Sequence, residues 1–257
     1  MIIDSHCHLD FACFSDDLDA LLKRCQAVGV SEFLVPSTTA ASWSQVQALG
    51  QQYRCCKIAL GLHPYFLESF TASALPLLEQ QLSAQPVVAL GEIGLDKWPG
   101  MPDYGLQIEV FCAQLAMADR LQLPVILHTR KSEDDVLKYL RQQGFKWGGI
   151  VHAFNGSLQQ AKRFIEMGFV LGIGGTVTYP RANKARQVLQ ALADEEFVLE
   201  TDAPDMPLSG YQGQTNTPER LPLVAQEVAT LRSQSLEHVA EQTSKNLLRV
   251  MPNWHKV

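Results

Sequence analysis

The sequence has no uninterrupted apolar run that approaches the roughly 18 residues needed to cross a membrane. Its first residues, MIIDSHCH, contain neither a basic stretch nor an apolar leader, so no secretory signal is recognised. The six cysteines include no CxxC pair, and the adjacent Cys55 and Cys56 are poorly placed for an ordinary disulfide. We therefore expect the cysteines to be reduced and mostly buried. We also expect a cytoplasmic protein that neither binds a membrane nor requires a protein partner.

The sequence also lacks an excess of positive charge. Lysine and arginine number 21 against 27 aspartate and glutamate residues, which gives a formal net charge of −6. A protein that grips a long nucleic-acid duplex usually presents a basic face. If the substrate is a nucleic acid, we expect a small, local contact with DNA ends or a single strand, in which metal ions neutralise phosphate charge.

The pattern that is present is a regular alternation of short β-rich runs and amphipathic helical segments. Several of these runs, such as PVVAL and PVILH, are continuously apolar, which is typical of parallel strands buried on both faces. The strand-like runs end near Asp4, Val35, Leu62, Leu90, Leu127, Val151, Gly172 and Leu199. The helical segments are Asp17–Val28, Ser42–Tyr53, Ala74–Leu82, Leu106–Leu121, Ser132–Gln143, Leu158–Met167, Ala182–Ala193, Glu219–Leu231 and Leu236–Val250.

Eight strand–helix units in 257 residues predict an α/β fold, a single (β/α)8 TIM-type barrel over residues 1–257 with an extra C-terminal helix. An open doubly wound sheet is the alternative. That fold usually carries a Gly-rich phosphate loop, and the only similar run, Gly172–Thr176, lacks the full spacing.

Metal-ligating residue types follow five of the predicted strands. His6 and His8 are two residues apart, so their side chains point the same way, as a chelating pair requires. In such barrels the C-terminal ends of the strands converge on one mouth. Six ligands exceed the need of one tetrahedral ion, and two ions bridged by the Glu92 carboxylate fit better. The predicted ligands are His6, His8, Glu92, His128, His152 and Asp202.

The motifs DSHCHLD, GLHP, GEIGLD, HTRKS, HAFNGS and ETDAP, in this order, resemble the TatD-type family of metal-dependent hydrolases. The resemblance runs from Met1 to about Met251. It implies that His6, His8 and Asp202 hold one ion, that His128 and His152 hold the other, and that Glu92 bridges them. It also implies phosphodiester hydrolysis, since the family is known mainly for metal-dependent DNases.

Four further residues are candidates for contact with the substrate. His63, in GLHP, is interpreted as a donor to the substrate phosphate or the leaving oxygen, with a neutral core histidine as the alternative. Arg130 and Asn155 are candidates for phosphate contact, against a surface salt bridge and a turn-forming role respectively. Glu200 lines the pocket, orients a ligand from behind, or is structural. The family resemblance weakens at Lys97–Pro102, and this loop is where we expect substrate preference to be set.

The predicted activity is hydrolysis of an ester bond, most simply of a phosphodiester, by a metal-activated water, with Asp202, Glu92 and His63 as the catalytic residues. A hydrolase of small phosphoesters, lactones or amides is the alternative within the same superfamily, and a non-catalytic metal-binding barrel is the third. The predicted cofactors are two divalent cations. An imidazole-rich site favours zinc, manganese, iron or nickel, whereas the resemblance points to magnesium.

Overall fold

A computed structural model describes residues 1–256 and places eight parallel strands in one sheet, paired in chain order from first to last. The strands are β1 (Ile2–Asp4), β2 (Val30–Pro36), β3 (Cys56–Leu60), β4 (Ala89–Asp96), β5 (Val125–Arg130), β6 (Gly149–Val151), β7 (Phe169–Ile173) and β8 (Phe197–Leu199). The helices of at least nine residues are α1 (Leu18–Ala27), α2 (Trp43–Gln52), α3 (Ala74–Ala84), α4 (Tyr104–Leu121), α5 (Glu133–Gln142), α6 (Leu158–Glu166), α7 (Asn183–Ala191), α8 (Leu221–Arg232) and α9 (Leu236–Val250).

The predicted (β/α)8 barrel with an extra C-terminal helix is confirmed. The seam between β8 and β1 is closed by individual backbone hydrogen bonds, of which Ser5 N to Leu199 O is 2.9 Å long. Among the described residues, no helix has the length and apolarity needed to cross a membrane. All six cysteines are free thiols.

Local sequence signals fix where several helices begin. Asp103 accepts a hydrogen bond from the backbone N–H of Leu106 at the start of α4. Ser157 and Gln160 form a reciprocal capping box at the start of α6. These side chains satisfy backbone N–H groups that the first turn of a helix leaves without partners.

The barrel interior is filled by one inward-pointing layer of apolar side chains. Each strand contributes one buried residue to this layer: Ile3, Leu34, Ala59, Ala89, Ile126, Ile150, Val170 and Val198. The end of α9 and the turn after it close the N-terminal end of the barrel with Leu247, Val250, Met251 and Trp254. Because Ile126 points inward, strand alternation places His128 in the interior one layer nearer the C-terminal mouth.

Three strand ends differ by two or more residues from the sequence prediction, and one of them is that of β5, which is predicted to end near Leu127 and extends to Arg130. The predicted fourth strand ends near Leu90, but β4 continues to Asp96, which places Glu92 inside the strand. The predicted third strand ends near Leu62, but β3 ends at Leu60. His63 therefore lies beyond the strand, at the N-cap of a short 3-10 helix. Pro64, at the start of that helix, has no backbone N–H to donate to a continuing strand ladder.

Candidate metal centre

The six predicted ligands and His63 converge at the C-terminal mouth of the barrel. His6 and His8 follow β1, His128 lies in β5, and His152 comes directly after β6. Six of these seven side chains are at most 14% exposed and His128 is 18% exposed, so the cluster lies largely out of water. The sequence prediction that these residues meet is thus realised in the structure, whereas the metal-binding roles remain predictions.

His6, His8 and Glu92 bring three potential ligand atoms into a compact group, and Asp202 approaches the two imidazoles. His6 Nε2 lies 3.3 Å from His8 Nε2 and 3.1 Å from Glu92 Oε2. Asp202 Oδ1 lies 3.7 Å from His6 Nε2 and 3.6 Å from His8 Nε2, and Glu92 Oε2 lies 3.7 Å from His8 Nε2. His6, His8 and Glu92 therefore form one group of possible ligands, and His6 also belongs to a second group with His152 and Asp202.

The second oxygen of Glu92 faces different partners. Glu92 Oε1 lies 3.1 Å from His63 Nε2 and 3.2 Å from His128 Nδ1. Neither approach has hydrogen-bond geometry, and the buried oxygen accepts no hydrogen bond. The two carboxylate oxygens thus point at two groups of imidazoles, as a bridging ligand requires.

His152 completes the cluster on the side of β8. Its ring stacks on His6 with centroids 3.7 Å apart, and its Nε2 lies 3.6 Å from Asp202 Oδ2. The opposite nitrogen, Nδ1, lies 3.0 Å from Glu200 Oε1. Glu200 Oε1 also accepts the backbone N–H of Ala153 at 2.6 Å, which fixes the carboxylate behind the imidazole.

The electrostatics of the first group suit metal ligation. Burial disfavours the imidazolium form and lowers the pKa of His6 well below its ordinary value and that of His8 to about 4. Burial alone would raise the pKa of Glu92, but nearby imidazoles, that of His63 first, hold it well below its ordinary range. At neutral pH the two imidazoles are therefore neutral and Glu92 is anionic, which are the forms that bind a cation.

The protonation of the side chains next to β8, Asp202 and His152, differs from that of His6, His8 and Glu92. Burial raises the pKa of Asp202 to about 7. Burial would lower the pKa of His152, but the carboxylates of Glu200, Asp202 and Glu92 outweigh it and raise that pKa to about 10. The acidic side chains on this side therefore attract positive charge.

The geometry of the donor set fits a divalent cation. Ligand atoms held tetrahedrally at about 2.1 Å from one ion lie about 3.4 Å apart. The spacings among the ligand atoms of His6, His8 and Glu92 run from 3.1 to 3.7 Å. A cation would also satisfy the buried Glu92 Oε1, which otherwise has no hydrogen-bond partner.

His63 has a different hydrogen-bonding pattern from the other imidazoles. Its Nδ1 accepts the backbone N–H of Tyr65 at 3.0 Å, and burial lowers the pKa of the ring. The neutral ring therefore carries its proton on Nε2, the nitrogen that faces the site. This arrangement favours a hydrogen-bond donor over a metal ligand at this position.

Two aspartates that the sequence interpretation missed organise the cluster. Asp96 Oδ2 lies 3.0 Å from His128 Nε2, which leaves His128 Nδ1 facing Glu92. Asp4 accepts hydrogen bonds from the hydroxyl (2.6 Å) and the backbone N–H (3.0 Å) of Thr201, and so joins the ends of β1 and β8. Asp96 is four residues past Glu92, but the predicted end of the strand at Leu90 concealed that both lie on one strand.

The remaining predicted residues lie around the centre. Glu200 is fully buried behind His152, which favours the orienting alternative over direct contact with a substrate. Arg130 is exposed at the end of β5, with its guanidinium 3.9 Å from the centroid of the Trp98 ring. Asn155 is exposed, and its carbonyl accepts a hydrogen bond from Lys184 Nζ at 2.9 Å. The substrate contacts of Arg130 and Asn155 remain predictions.

Comparison with known proteins places the chain in a family. The family model described as TatD related DNase matches residues 3–252. The metal-dependent hydrolase YjjV of Escherichia coli (strain K12) is 44% identical over 246 residues, which cover 95% of each chain. A metal-dependent hydrolase of Haemophilus influenzae is 36% identical, over 96% of this chain and 98% of its own length.

Solved structures agree with this placement. The crystal structure of YjjV, a TatD homolog from Escherichia coli K12, superposes with a TM-score of 0.95 at 43% identity, over 98% of each chain. A TatD family hydrolase from Entamoeba histolytica shares the fold, with a TM-score of 0.83 at 19% identity over 97% of each chain. With the family model spanning nearly the whole sequence, this protein belongs to the TatD-related family of metal-dependent hydrolases.

Proposed function

We propose that this protein is a phosphodiesterase of the deoxyribonuclease type that works with two divalent cations. The observation that carries the proposal is the arrangement around Glu92, whose two oxygens face two separate groups of imidazoles. His6, His8 and Asp202 would hold one ion, and His128 and His152 the other. When bound, such ions polarise phosphoryl oxygens and lower the pKa of a coordinated water.

The chain's own residues supply the remaining chemistry. Asp202 reaches the site with both oxygens, one beside His6 and His8 and one beside His152, and it accepts the proton of the attacking water. His63 presents its Nε2–H to the site because its Nδ1 is occupied by the Tyr65 backbone. We assign it as the donor to a phosphoryl oxygen or to the leaving oxygen.

A phosphorus-centred substrate matches this donor and acceptor pattern. Hydrolysis of a diester forms one P–O bond to the water oxygen and breaks one P–O bond to the leaving alkoxide. One proton must leave the water and one must reach the leaving oxygen. Asp202 takes the proton of the water and returns it to the leaving oxygen, while the neutral His63 stabilises that oxygen with its Nε2–H hydrogen bond and keeps its proton.

A hydrolase of small phosphoesters is a second candidate, and the charge of the chain favours it. A net charge of −6 repels a long polyanion and leaves attraction only near bound cations. The two candidates share the chemistry and differ in the size of the substrate.

The experiment is a substrate series on the purified protein with zinc, manganese or magnesium. The substrates are bis(p-nitrophenyl) phosphate and single- and double-stranded oligodeoxynucleotides. We expect metal-dependent cleavage of the diester and of single strands, and loss of at least 100-fold in kcat for Asp202→Asn. Asp205→Asn is the matched control, because Asp205 lies in the same loop with an exposed side chain.

Three results would count against parts of the proposal. Cleavage of the small diester without cleavage of any oligonucleotide supports the small-substrate alternative. Turnover by Asp202→Asn equal to that of the wild type contradicts the assigned proton acceptor. Hydrolysis confined to lactones or amides contradicts the phosphodiesterase proposal as a whole.

A further inference from the structure

One exposed cluster beside the metal centre joins Arg130, the predicted phosphate contact, to Trp98 and Lys131, which have no role in the chemistry described above. We call it the Trp98 platform. The Arg130 guanidinium carbon lies 3.9 Å and Lys131 Nζ 4.6 Å from the centroid of the indole ring. The Trp98 side chain is nevertheless 43% exposed, so part of the ring remains open to a ligand.

Within the described part of the chain, the two cations of the platform form no salt bridge, although the charge of Arg130 helps to lower the pKa of Asp96. Over residues 1–256, neither Arg130 nor Lys131 has an acidic oxygen within 4.0 Å, and neither side chain donates a hydrogen bond. Lys97, next to Trp98, shows the contrast, since its Nζ lies 2.6 Å from Asp135 Oδ2. The hydrogen-bond donors of Arg130 and Lys131 are therefore available to an anion.

The platform is tied to the proposed ligands by covalent and hydrogen bonds. Arg130 is two residues beyond His128 in β5, so both side chains lie on the inner face of the barrel. Asp96 Oδ1 accepts the backbone N–H of Trp98 at 2.7 Å, while Asp96 Oδ2 contacts His128 Nε2. One carboxylate thus positions both the indole and a proposed metal ligand.

This combination of groups is suited to a nucleotide. An exposed indole stacks on a nucleobase, and a guanidinium binds a phosphate through paired hydrogen bonds. We propose that the Trp98 platform binds the nucleotide next to the scissile diester of a single-stranded nucleic acid, with the base on Trp98 and the phosphate on Arg130 and Lys131. The proposal rests on the proposed phosphodiesterase function and names its substrate class.

A single strand is the form of nucleic acid that this site can use. In a duplex the faces of each base are covered by neighbouring bases, and a base must leave the stack to reach an aromatic side chain. The platform also contacts one nucleotide only, which is compatible with a chain whose net charge is −6. The proposal does not require a long stretch of nucleic acid to be held by positive charge.

The test is equilibrium binding, measured by fluorescence anisotropy on the full-length protein purified with its metals. One ligand is a dye-labelled phosphorothioate hexadeoxynucleotide, whose linkages resist hydrolysis. The other has the same backbone and charge but no bases. For Trp98→Ala we expect binding of the hexamer to weaken about 5- to 150-fold, with less than a twofold change for the abasic ligand.

Three further variants separate stacking from charge and from loss of structure. Trp98→Phe keeps an aromatic face and should restore most of the affinity. Arg130→Gln should weaken both ligands and reduce the salt dependence of binding. Trp147→Ala is the control, because Trp147 has a lysine 5.4 Å from its ring but precedes β6 at the opposite end of the barrel.

Three outcomes overturn the inference: unchanged hexamer binding by Trp98→Ala, an equal loss for both ligands, or no binding of either ligand by the wild type. Hydrolysis of bis(p-nitrophenyl) phosphate is measured in parallel. A Trp98→Ala protein that binds the hexamer normally while the wild type hydrolyses the small diester refutes the platform and leaves the phosphodiesterase proposal intact.

Discussion

Two imidazoles of the centre are held from behind by a carboxylate. Asp96 contacts His128 at Nε2, and Glu200 contacts His152 at Nδ1. The Asp96 contact orients the His128 ring and holds a proton on Nε2, so Nδ1 faces the site, whereas Glu200 lies beside His152 Nδ1 without hydrogen-bond geometry and leaves Nε2 on the side of the site. The two rings consequently present different nitrogens, Nδ1 of His128 and Nε2 of His152.

We predict that Asp96→Asn weakens metal binding about 10- to 100-fold while the fold is retained. The amide cannot accept the His128 proton as strongly, and its NH2 group competes for the ring nitrogen. Isothermal titration with zinc or manganese measures the effect. Asp135→Asn, a nearby carboxylate that pairs with Lys97, should bind metal like the wild type, and equal affinities of all three proteins would contradict the positioning role.

At the residue scale, the sequence was sufficient to predict the inner cluster and to offer Glu200 as one supporting residue, but it did not reveal the support from Asp96. His6 and His8 were found because the alternation of an extended chain fixes their common direction, and the 3.3 Å between their Nε2 atoms agrees with it. Asp96 supports a histidine 32 residues away on the next strand. Such a contact depends on strand register, which the pattern of apolar residues does not specify to single residues.

At the scale of elements, α4 positions the mouth of the barrel through two buried glutamines seven residues apart. Gln107 accepts the backbone N–H of Asp96 at 2.8 Å and donates to its carbonyl at 3.1 Å. Gln114 makes the same pair of bonds to Leu62, at 2.8 and 3.1 Å. The helix thus fixes the backbone beside Asp96 and beside His63.

We predict that Gln114→Leu lowers the free energy of unfolding by about 2–4 kcal/mol, because a backbone N–H and a C=O are left buried without partners. Urea denaturation measures the loss. Gln190→Leu is the control, since it removes a surface amide that donates to the Leu231 carbonyl, and it should change stability by about 0.5 kcal/mol or less. A Gln114→Leu protein as stable as this control would refute the role of α4.

Helices were easier to predict than strand ends in this chain. The predicted Leu236–Val250 coincides with α9, where Ser235 caps the first turn and apolar positions recur with helical spacing. The short strands carry no comparable end signal. β4 is buried along its whole length, and nothing in GEIGLD marks where pairing with β5 stops.

At the scale of the whole molecule, Asp194 joins three segments at the N-terminal end of the barrel. Its Oδ1 accepts hydrogen bonds from Arg232 (2.6 Å) and Gln234 (2.7 Å), and its Oδ2 contacts His238 Nε2 at 2.8 Å. The hydrogen bond from Gln234, followed by those from His238 and Arg232, lowers the pKa of Asp194 to about 2. A carboxylate with a depressed pKa stabilises the folded state only while it is ionised.

We predict that Asp194→Asn is less stable than the wild type at pH 7 and that the difference closes in acid. The contribution of the carboxylate is fully present above the unfolded-state pKa of about 3.9 and is lost as the pH falls toward 2. Urea unfolding at pH 7, 5, 4 and 3 measures the difference, with Asp16→Asn as an exposed control. A difference that stays constant over this range would contradict the assignment.

Binding of metal should stabilise the barrel as a whole because the proposed ligands lie on both sides of its seam. His6 and His8 follow the first strand and Asp202 follows the last, and the backbone bond from Asp202 N to His6 O is 2.9 Å long. An ion held by these three residues would join the two ends of the sheet. Over residues 1–256, no continuous strand ladder pairs β8 with β1.

We predict that zinc or manganese at about 100 times its dissociation constant stabilises the protein by about 2.7 kcal/mol. That free energy corresponds to a rise in Tm of roughly 5–11 °C for a chain of this size, and EDTA should reverse it. The double variant His6→Ala, His8→Ala should lose the rise, while His255→Ala, at an exposed position in the C-terminal tail, should keep it. A rise that persists in the double variant would place the stabilising ion away from the seam, because neither imidazole that it requires would then be present.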